Sequence, residues 1–457
     1  MSTPTSAEAL TGTGQASIRE GLVTVLLGLS MVLVIMNTMM FNLALPSVSQ
    51  QFSLSPSSTS WIVTGYSIVF AISSITYSRL SDFVPIRRLI MIGLSLLSLA
   101  AIAGFFSNSF LMLLAVRLVQ AAGAGSIPAL SLVLIARYVP LERRGKAMAV
   151  IMSAASLGLG LGPVAGGAIV EYMGWHYLFV VTAVTIALVP VFAQLLPREK
   201  PAKGSFDAAG AVFVGVGTTG LLLFLTNQSW PALAVGLVAL ALFVIRIRKA
   251  GDPFVQPALF RNRSYLLLSA IGIVAYLCSF ATLFLMPQIL VHHYGLSAVS
   301  SGLVIFPGSL LALILSRRVG KIIDRSGNAA IIRYIPFLLL ASVVLFAWLS
   351  GTSYIAIMLI YMLLSVGFTF MTSSISNEMS RILDQRQIGS GMGLFQLLQF
   401  FSGAFGVAMT ASALTWQKGL PEAAAYSNIY WALAVVVLLS IGCAYLYRKR
   451  SAAAAVN

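Results

Sequence analysis

The stretch TYSRLSDFVPIRRL (Thr76–Leu89) sets four charges, Arg79, Asp82, Arg87 and Arg88, between two almost wholly apolar runs, roughly 60–79 and 88–107. An α-helix needs about 20 apolar residues to cross the hydrocarbon core of a bilayer. A short charged break between two such runs therefore reads as a polar hairpin joining two membrane-crossing helices. The same reading extends in both directions along the chain. Fourteen segments qualify, near 22–45, 60–79, 88–107, 110–136, 146–170, 176–196, 208–226, 229–246, 265–290, 298–316, 329–349, 352–375, 388–415 and 428–447. Strands of a membrane barrel would be only about ten residues long and would alternate in polarity. An all-α integral membrane protein with 14 transmembrane helices is expected.

Composition agrees, since 59% of the 457 residues are hydrophobic and 9% are charged, against about 25% charged in a soluble domain. The net charge of +16 is spread over loops and forms no basic patch, so nucleic acid is not an expected partner. Lys and Arg concentrate in cytoplasmic loops of membrane proteins. With both termini cytoplasmic, every Lys and Arg except Arg117 and Lys418 falls in or beside a cytoplasmic loop. One miscounted helix would scramble that pattern, which favours an even count and a bilayer partner with an anionic leaflet. The first twenty residues lack the basic start and apolar core of a secretory signal, and read as a cytoplasmic tail. Cys278 and Cys443 lie in separate apolar runs and indicate no disulfide.

The chain also repeats itself. The stretch GKIIDRSG (Gly320–Gly327) aligns with the opening one, pairing Ser78 with Gly320, Asp82 with Asp324 and Pro85 with Gly327. Both stretches follow the second helix of a six-helix group, as in transporters built from parallel repeats. The expected layout is six plus two plus six helices. It comprises a tail (1–21), an N-terminal bundle (22–200), two inserted helices with flanking loops (201–263), a C-terminal bundle (264–447) and a cytoplasmic tail (448–457).

These features resemble the major facilitator superfamily. SRLSDFVPIRRL resembles its loop motif GxLaDRxGrk; LLAVRLVQAAGAG (Leu113–Gly125) resembles its fourth-helix motif; GLGLGPVAGG (Gly158–Gly167) resembles its antiporter motif, GxxxGPxxGG. NTMMFNLALP (Asn37–Pro46) resembles the first-helix motif of the fourteen-helix drug:H+ antiporters (the DHA2 type). Within that group SSTSWIVTGYSI, RLVQAAGAGSIPAL and ARYVPLERRGKAMAV look most like the tetracycline exporters. The resemblance implies a plasma-membrane carrier that functions as a monomer and exchanges a small-molecule drug for protons or monovalent cations. The exporters' carboxylates in helices 1, 5 and 13 are replaced here by Thr38, Leu159 and Gly403.

Physical chemistry singles out the same places. Gly158, Gly162 and Gly166 share a helix face that admits a close neighbour; with Pro163, which bends a helix, and Gly167, they are expected to form a flexible contact between the two halves. The alternative is ordinary small-residue packing. Arg117 lies inside a span, where a charge costs at least about 2.5–3.5 kcal/mol, and so needs a partner or a wet cavity. Gln120 follows on its face, and Asn37, Thr38 and Asn42 are candidate partners; a purely structural Arg bonded to carbonyls is the other reading. None of the twelve acids is mid-span. Proton or conformational coupling is therefore sought at Arg117, at Asp82 with Arg87 and Arg88, and at Asp324 with Arg325; His292 and His293 are a further candidate pair for coupling, though such a pair is more often an interfacial anchor. Tyr66, Ser156, Gln396 and Gln399 complete the candidate cavity.

The expected function is secondary active efflux of amphipathic drugs, tetracycline-type or multidrug, by alternating access. A metabolite or self-protection exporter, an uncoupled facilitator, or a non-transporting receptor remain as alternatives. No GxxxxGK[ST] stretch supplies ATP, and no nucleophile–base cluster or metal-ligand spacing points to an enzyme, a cofactor or a metal.

Overall fold

The computed structural model describes residues 19–54, 56–199, 201, 205–384, 387–417 and 419–456. The tail before Arg19 lies outside these residues, as do Lys200, Lys203, Arg386 and Lys418 from the charge pattern. No strand occurs among the described residues.

Among the described residues fourteen principal helices follow one another. They are α1 (Glu20–Gln51), α2 (Pro56–Leu80), α3 (Ile86–Phe105), α4 (Phe110–Tyr138), α5 (Leu141–Tyr172), α6 (Tyr177–Leu195), α7 (Ala208–Asn227) and α8 (Trp230–Lys249). After a single turn, Ala258–Arg261, come α9 (Arg263–His293), α10 (Ala298–Ser326), α11 (Ala329–Leu349), α12 (Tyr354–Ile382), α13 (Ile388–Trp416) and α14 (Glu422–Val456). Thirteen of them are long and apolar enough to cross a membrane; α7, whose described apolar stretch is Ala208–Phe224, is shorter. Segments this long and this uniformly apolar cross a bilayer as helices, in which every backbone polar group is satisfied within the segment.

Several helices overrun the segments expected from hydropathy. Asp324 lies in the last turns of α10 rather than in a loop, and α14 runs through the expected tail as far as Val456. Gly327 ends α10 with φ +73°, a backbone conformation that glycine adopts without strain. At the matching point Pro85 starts α3 with φ −52°, its ring fixing that angle. Two different residues thus solve the same chain reversal.

Helices α1–α6 pack on one another, as do α9–α14; α5 packs along α10, and α2 along α13. The inserted α7 and α8 pair tightly, with Gly220 against Gly236, and α7 touches both α2 and α13. Exposed Val235, Val238, Leu242 and Ile245 give α8 a greasy outer face. The loops holding Asp82 and Asp252, together with the ends of α4 (at Arg137), α10 and α12, lie at one end of the bundle, called the basic face below.

Candidate functional site

Arg117 is fully buried in α4. Its Nη1 donates to Gln120 Oε1 at 2.6 Å and to Asn37 Oδ1 at 3.4 Å. Its guanidinium lies over the Phe41 ring at 3.8 Å and the Tyr66 ring at 4.0 Å. Two aromatic faces thus replace part of the hydration that a buried cation loses, a contact worth about 2 kcal/mol when desolvated. Asn37 also donates to Tyr66 Oη at 3.2 Å and accepts from Thr182 at 3.0 Å; Thr38 donates to Tyr66 Oη at 3.4 Å. Arg117 Nε and Nη2 and Gln120 Nε2 find no acceptor. Asn42 does not join this cluster; it is exposed and faces Met39 Sδ at 4.0 Å.

From Tyr66 an aromatic series crosses to the other half. Tyr66 stacks on Phe70 at 6.0 Å, Phe70 meets Phe400 edge-on at 5.0 Å, and Phe400 meets Tyr276 at 5.9 Å. Sequence reading missed Phe41, Phe70, Phe400 and Tyr276, because nothing in sequence separates the aromatics of this series from the chain's other Phe and Tyr.

The two halves are stitched together by polar side chains. Gln396 accepts from Ser74 at 2.9 Å and donates to the Pro128 carbonyl at 2.9 Å. Ser156 pairs with Thr369 at 3.1 Å, Ser153 donates to Ala312 O at 3.2 Å, and Arg144 donates to Ser380 O and Oγ at 3.2 Å. Gln396 and Ser156 therefore act as seam fasteners here and do not face an open cavity. Gln399 keeps a buried amide nitrogen without an acceptor.

Asp82 forms the charged end of this seam. Its Oδ2 accepts from Arg79 at 2.7 Å and its Oδ1 from Arg137 at 2.8 Å. The backbone amide of Gly389 also donates to it, while Ser78 Oγ donates to the Gly389 carbonyl at 2.7 Å. Burial raises the Asp82 carboxyl above its ordinary range, and outweighs the lowering by Arg137, Arg79 and the Gly389 amide. Arg87 and Arg88 are not its partners: Arg88 is exposed and Arg87 half-buried. The ion pairs with Asp82 are made instead by Arg79, one turn before it in α2, and by Arg137 at the end of α4.

Asp324 mirrors this arrangement. Its Oδ2 accepts from the Lys146 amide in α5 at 3.2 Å, and Arg325 is exposed rather than paired with it. Each repeat's acid thus docks on an early turn of the opposite half's fifth helix, where helix N-termini favour negative charge.

The glycine motif is used differently from the expectation. Built methyl groups at Gly158, Gly162 and Gly166 would strike Ile35, Met39 and Met40, all on α1 of the same half. The contact between halves comes from another face of α5, where Gly160 meets Ser309 and Val164 meets Gly302 of α10. Gly167 is buried and Pro163 lies inside an unbroken helix. His292 and His293 occupy a π-helical turn at the opposite face and are exposed.

A separate cavity of about 670 Å³ lies between α2 and the inserted pair, lined by apolar groups such as Ile72, Phe206, Val212 and Val235. It has no charged lining residue and stands apart from Arg117. No group of His, Cys, Asp or Glu able to hold a metal occurs among the described residues.

Two packed groups of membrane helices, joined along a polar seam and carrying a fully buried arginine inside a span, define a carrier rather than an enzyme. The match to the family model described as Major Facilitator Superfamily spans residues 27–407, and the chain belongs to that superfamily of secondary transporters. It is 26% identical over 428 residues to the riboflavin transporter RibZ of Clostridioides difficile (strain 630), covering 90% of this chain and 93% of that one. It is 28% identical to the multidrug resistance protein Stp of Mycobacterium tuberculosis (strain CDC 1551 / Oshkosh), over 66% of this chain and 58% of that protein. The fold is that of the human organic anion transporter MFSD10, with a TM-score of 0.71 at 18% identity, covering 93% and 99% of the two chains.

Proposed function

We propose that this protein is a fourteen-helix exporter of the drug:H+ antiporter type, moving amphipathic small molecules across the plasma membrane in exchange for protons or monovalent cations. In this reading the basic face is cytoplasmic, by the positive-inside rule, and α1–α6 and α9–α14 rock about the seam. The observation that carries it is the position of the stitching. The hydrogen bonds described between the halves, from Ser78–Gly389 to Ser156–Thr369, lie between the basic face and the midpoints of their helices. That asymmetry suits a carrier closed to the cytoplasm and poised to release cargo outward. Arg117, Asp82 and Asp324 are the coupling residues in this reading, and the Tyr66–Phe70–Phe400–Tyr276 series the apolar wall of the cargo path.

A second reading is an exporter or uncoupled facilitator of a planar, acceptor-rich metabolite. It is favoured by the three unpartnered donors of Arg117 and Gln120, by the absence of a mid-span carboxylate, and by similarity to a riboflavin transporter. Two measurements separate the readings. An efflux-deficient host expressing the protein is tested for resistance to tetracyclines, quinolones and cationic dyes. Proteoliposomes are assayed for movement of the same drugs and of riboflavin under an imposed proton gradient. Drug flux that follows the gradient supports antiport, riboflavin flux indifferent to it supports the facilitator, and movement of nothing removes both.

A further inference from the structure

The inserted helix pair is wired into the charged end of the seam by one residue that no motif marks. Arg79, 3% exposed, holds Asp82 with Nη1 at 2.7 Å and Asp252 with Nη2 at 2.5 Å. Asp252 belongs to the linker that leaves α8, and its other oxygen accepts from the Ser205 amide in the segment that enters α7 at 3.2 Å. Both linkers flanking the insertion therefore converge on Arg79.

The linker is a packed strap. Phe254 and Val255 are fully buried, and the Phe254 amide donates to Asp207 at 3.3 Å. Asp207 in turn caps α7 through the Gly210 amide at 3.0 Å and pairs with Arg246 of α8 at 3.1 Å. Meanwhile α7 touches α2 on one side of the seam and α13 on the other. The insertion thus lies across the α2–α13 seam, with its trailing strap gripping the arginine that holds Asp82.

We infer that Asp252 is a positioning residue of the transport cycle: it orients Arg79 toward Asp82, so that the inserted helices brace the closed state of the basic face. Charge supports this. Arg79 and Arg137 are balanced by Asp82 and Asp252; without Asp252 the cluster carries an excess positive charge beside the first turn of α13, the end of a helix that repels cations. The inference rests on the transporter reading above, but its test reads shape and not flux.

Spin labels at Glu142 and Arg333, exposed residues of the two halves near the basic face, report their separation in the full-length protein in nanodiscs. D252N and D252A are expected to raise the ratio of open to closed distances about threefold or more. D252E restores the wild-type distribution, and D252N placed on D82N adds nothing. A D252N distribution that superimposes on wild type, or a shift that survives unchanged on D82N, overturns the inference. Loss of fold in both D252N and D252A, seen as aggregation on gel filtration, overturns it too, since Asp252 would then be structural. Altered distances in a protein that moves no drug would retain Asp252 and remove only the drug reading.

Discussion

Asp82 and Gly389, from opposite halves of the chain, touch at the basic face. The Gly389 amide donates to the Asp82 carboxylate, and a methyl group built on Gly389 would sit 2.1 Å from Asp82 Oδ1 and 2.7 Å from the Ser78 carbonyl. The α2 loop and the start of α13 approach so closely only because residue 389 has no side chain.

Gly389→Ala is therefore expected to part the seam at its charged end. Overpacking costs about 1–3 kcal/mol at such sites, and backbone on one side of the contact limits relaxation. The label pair at Glu142 and Arg333 should register a larger open fraction in this variant, and an unchanged distribution would refute the contact.

The two glycine faces of α5 should separate in their effects. Gly162→Ala places a methyl 2.4 Å from Met39 Cβ within the first half, and is expected to lower the melting temperature in detergent. Gly160→Ala meets Ser309 of the other half at 2.3 Å, and is expected to alter exchange between conformers while largely sparing the melt. Thermal unfolding and the label distances, measured on both variants, decide the matter.

Removing the buried cation tests the centre of the path. Arg117→Met forfeits two desolvated ring contacts and the bond to Gln120, and contacts of this kind are worth about 2 kcal/mol, roughly thirtyfold in an equilibrium. Cargo flux should fall by at least that order while the protein still runs as a single species on gel filtration. Arg117→Lys should not restore it, since a compact ammonium lacks the planar fork that stacks and bonds at once. Full flux in R117K would make a point charge sufficient.

The charge on Asp82 should tie conformation to pH. Burial holds its carboxyl above the ordinary value of 3.8 in the closed form, whereas in water it titrates at the ordinary value. Between 3.8 and the raised value the closed form is the better proton binder. Its resulting advantage is complete below 3.8, is lost as pH rises through the window, and is constant above it. The closed fraction should therefore decline with rising pH in that window, and D82N should abolish this dependence; a wild-type response that persists in D82N would assign it to another group.

Much of this protein can be read along one dimension. A bilayer forces each crossing segment to be long, apolar and helical, so hydropathy alone predicts nearly every span, and the duplicated Asp82 and Asp324 stand out because spacing survives in sequence. The prominence of Arg117 is legible for the same reason, since one charge in a long apolar run demands a partner or a wet cavity. The partners themselves are not legible. Asp82 turns away from its sequence neighbours Arg87 and Arg88 toward Arg137 and Gly389, and Gly158, Gly162 and Gly166 face α1 rather than the other half. Asp252 meets Arg79 across 173 positions. Local rules act over a few residues, through helix period and desolvation cost. Which side chains pair is decided when helices remote in sequence cross, because a buried charge or a bare glycine face is satisfied by whatever the packing brings within a few ångströms.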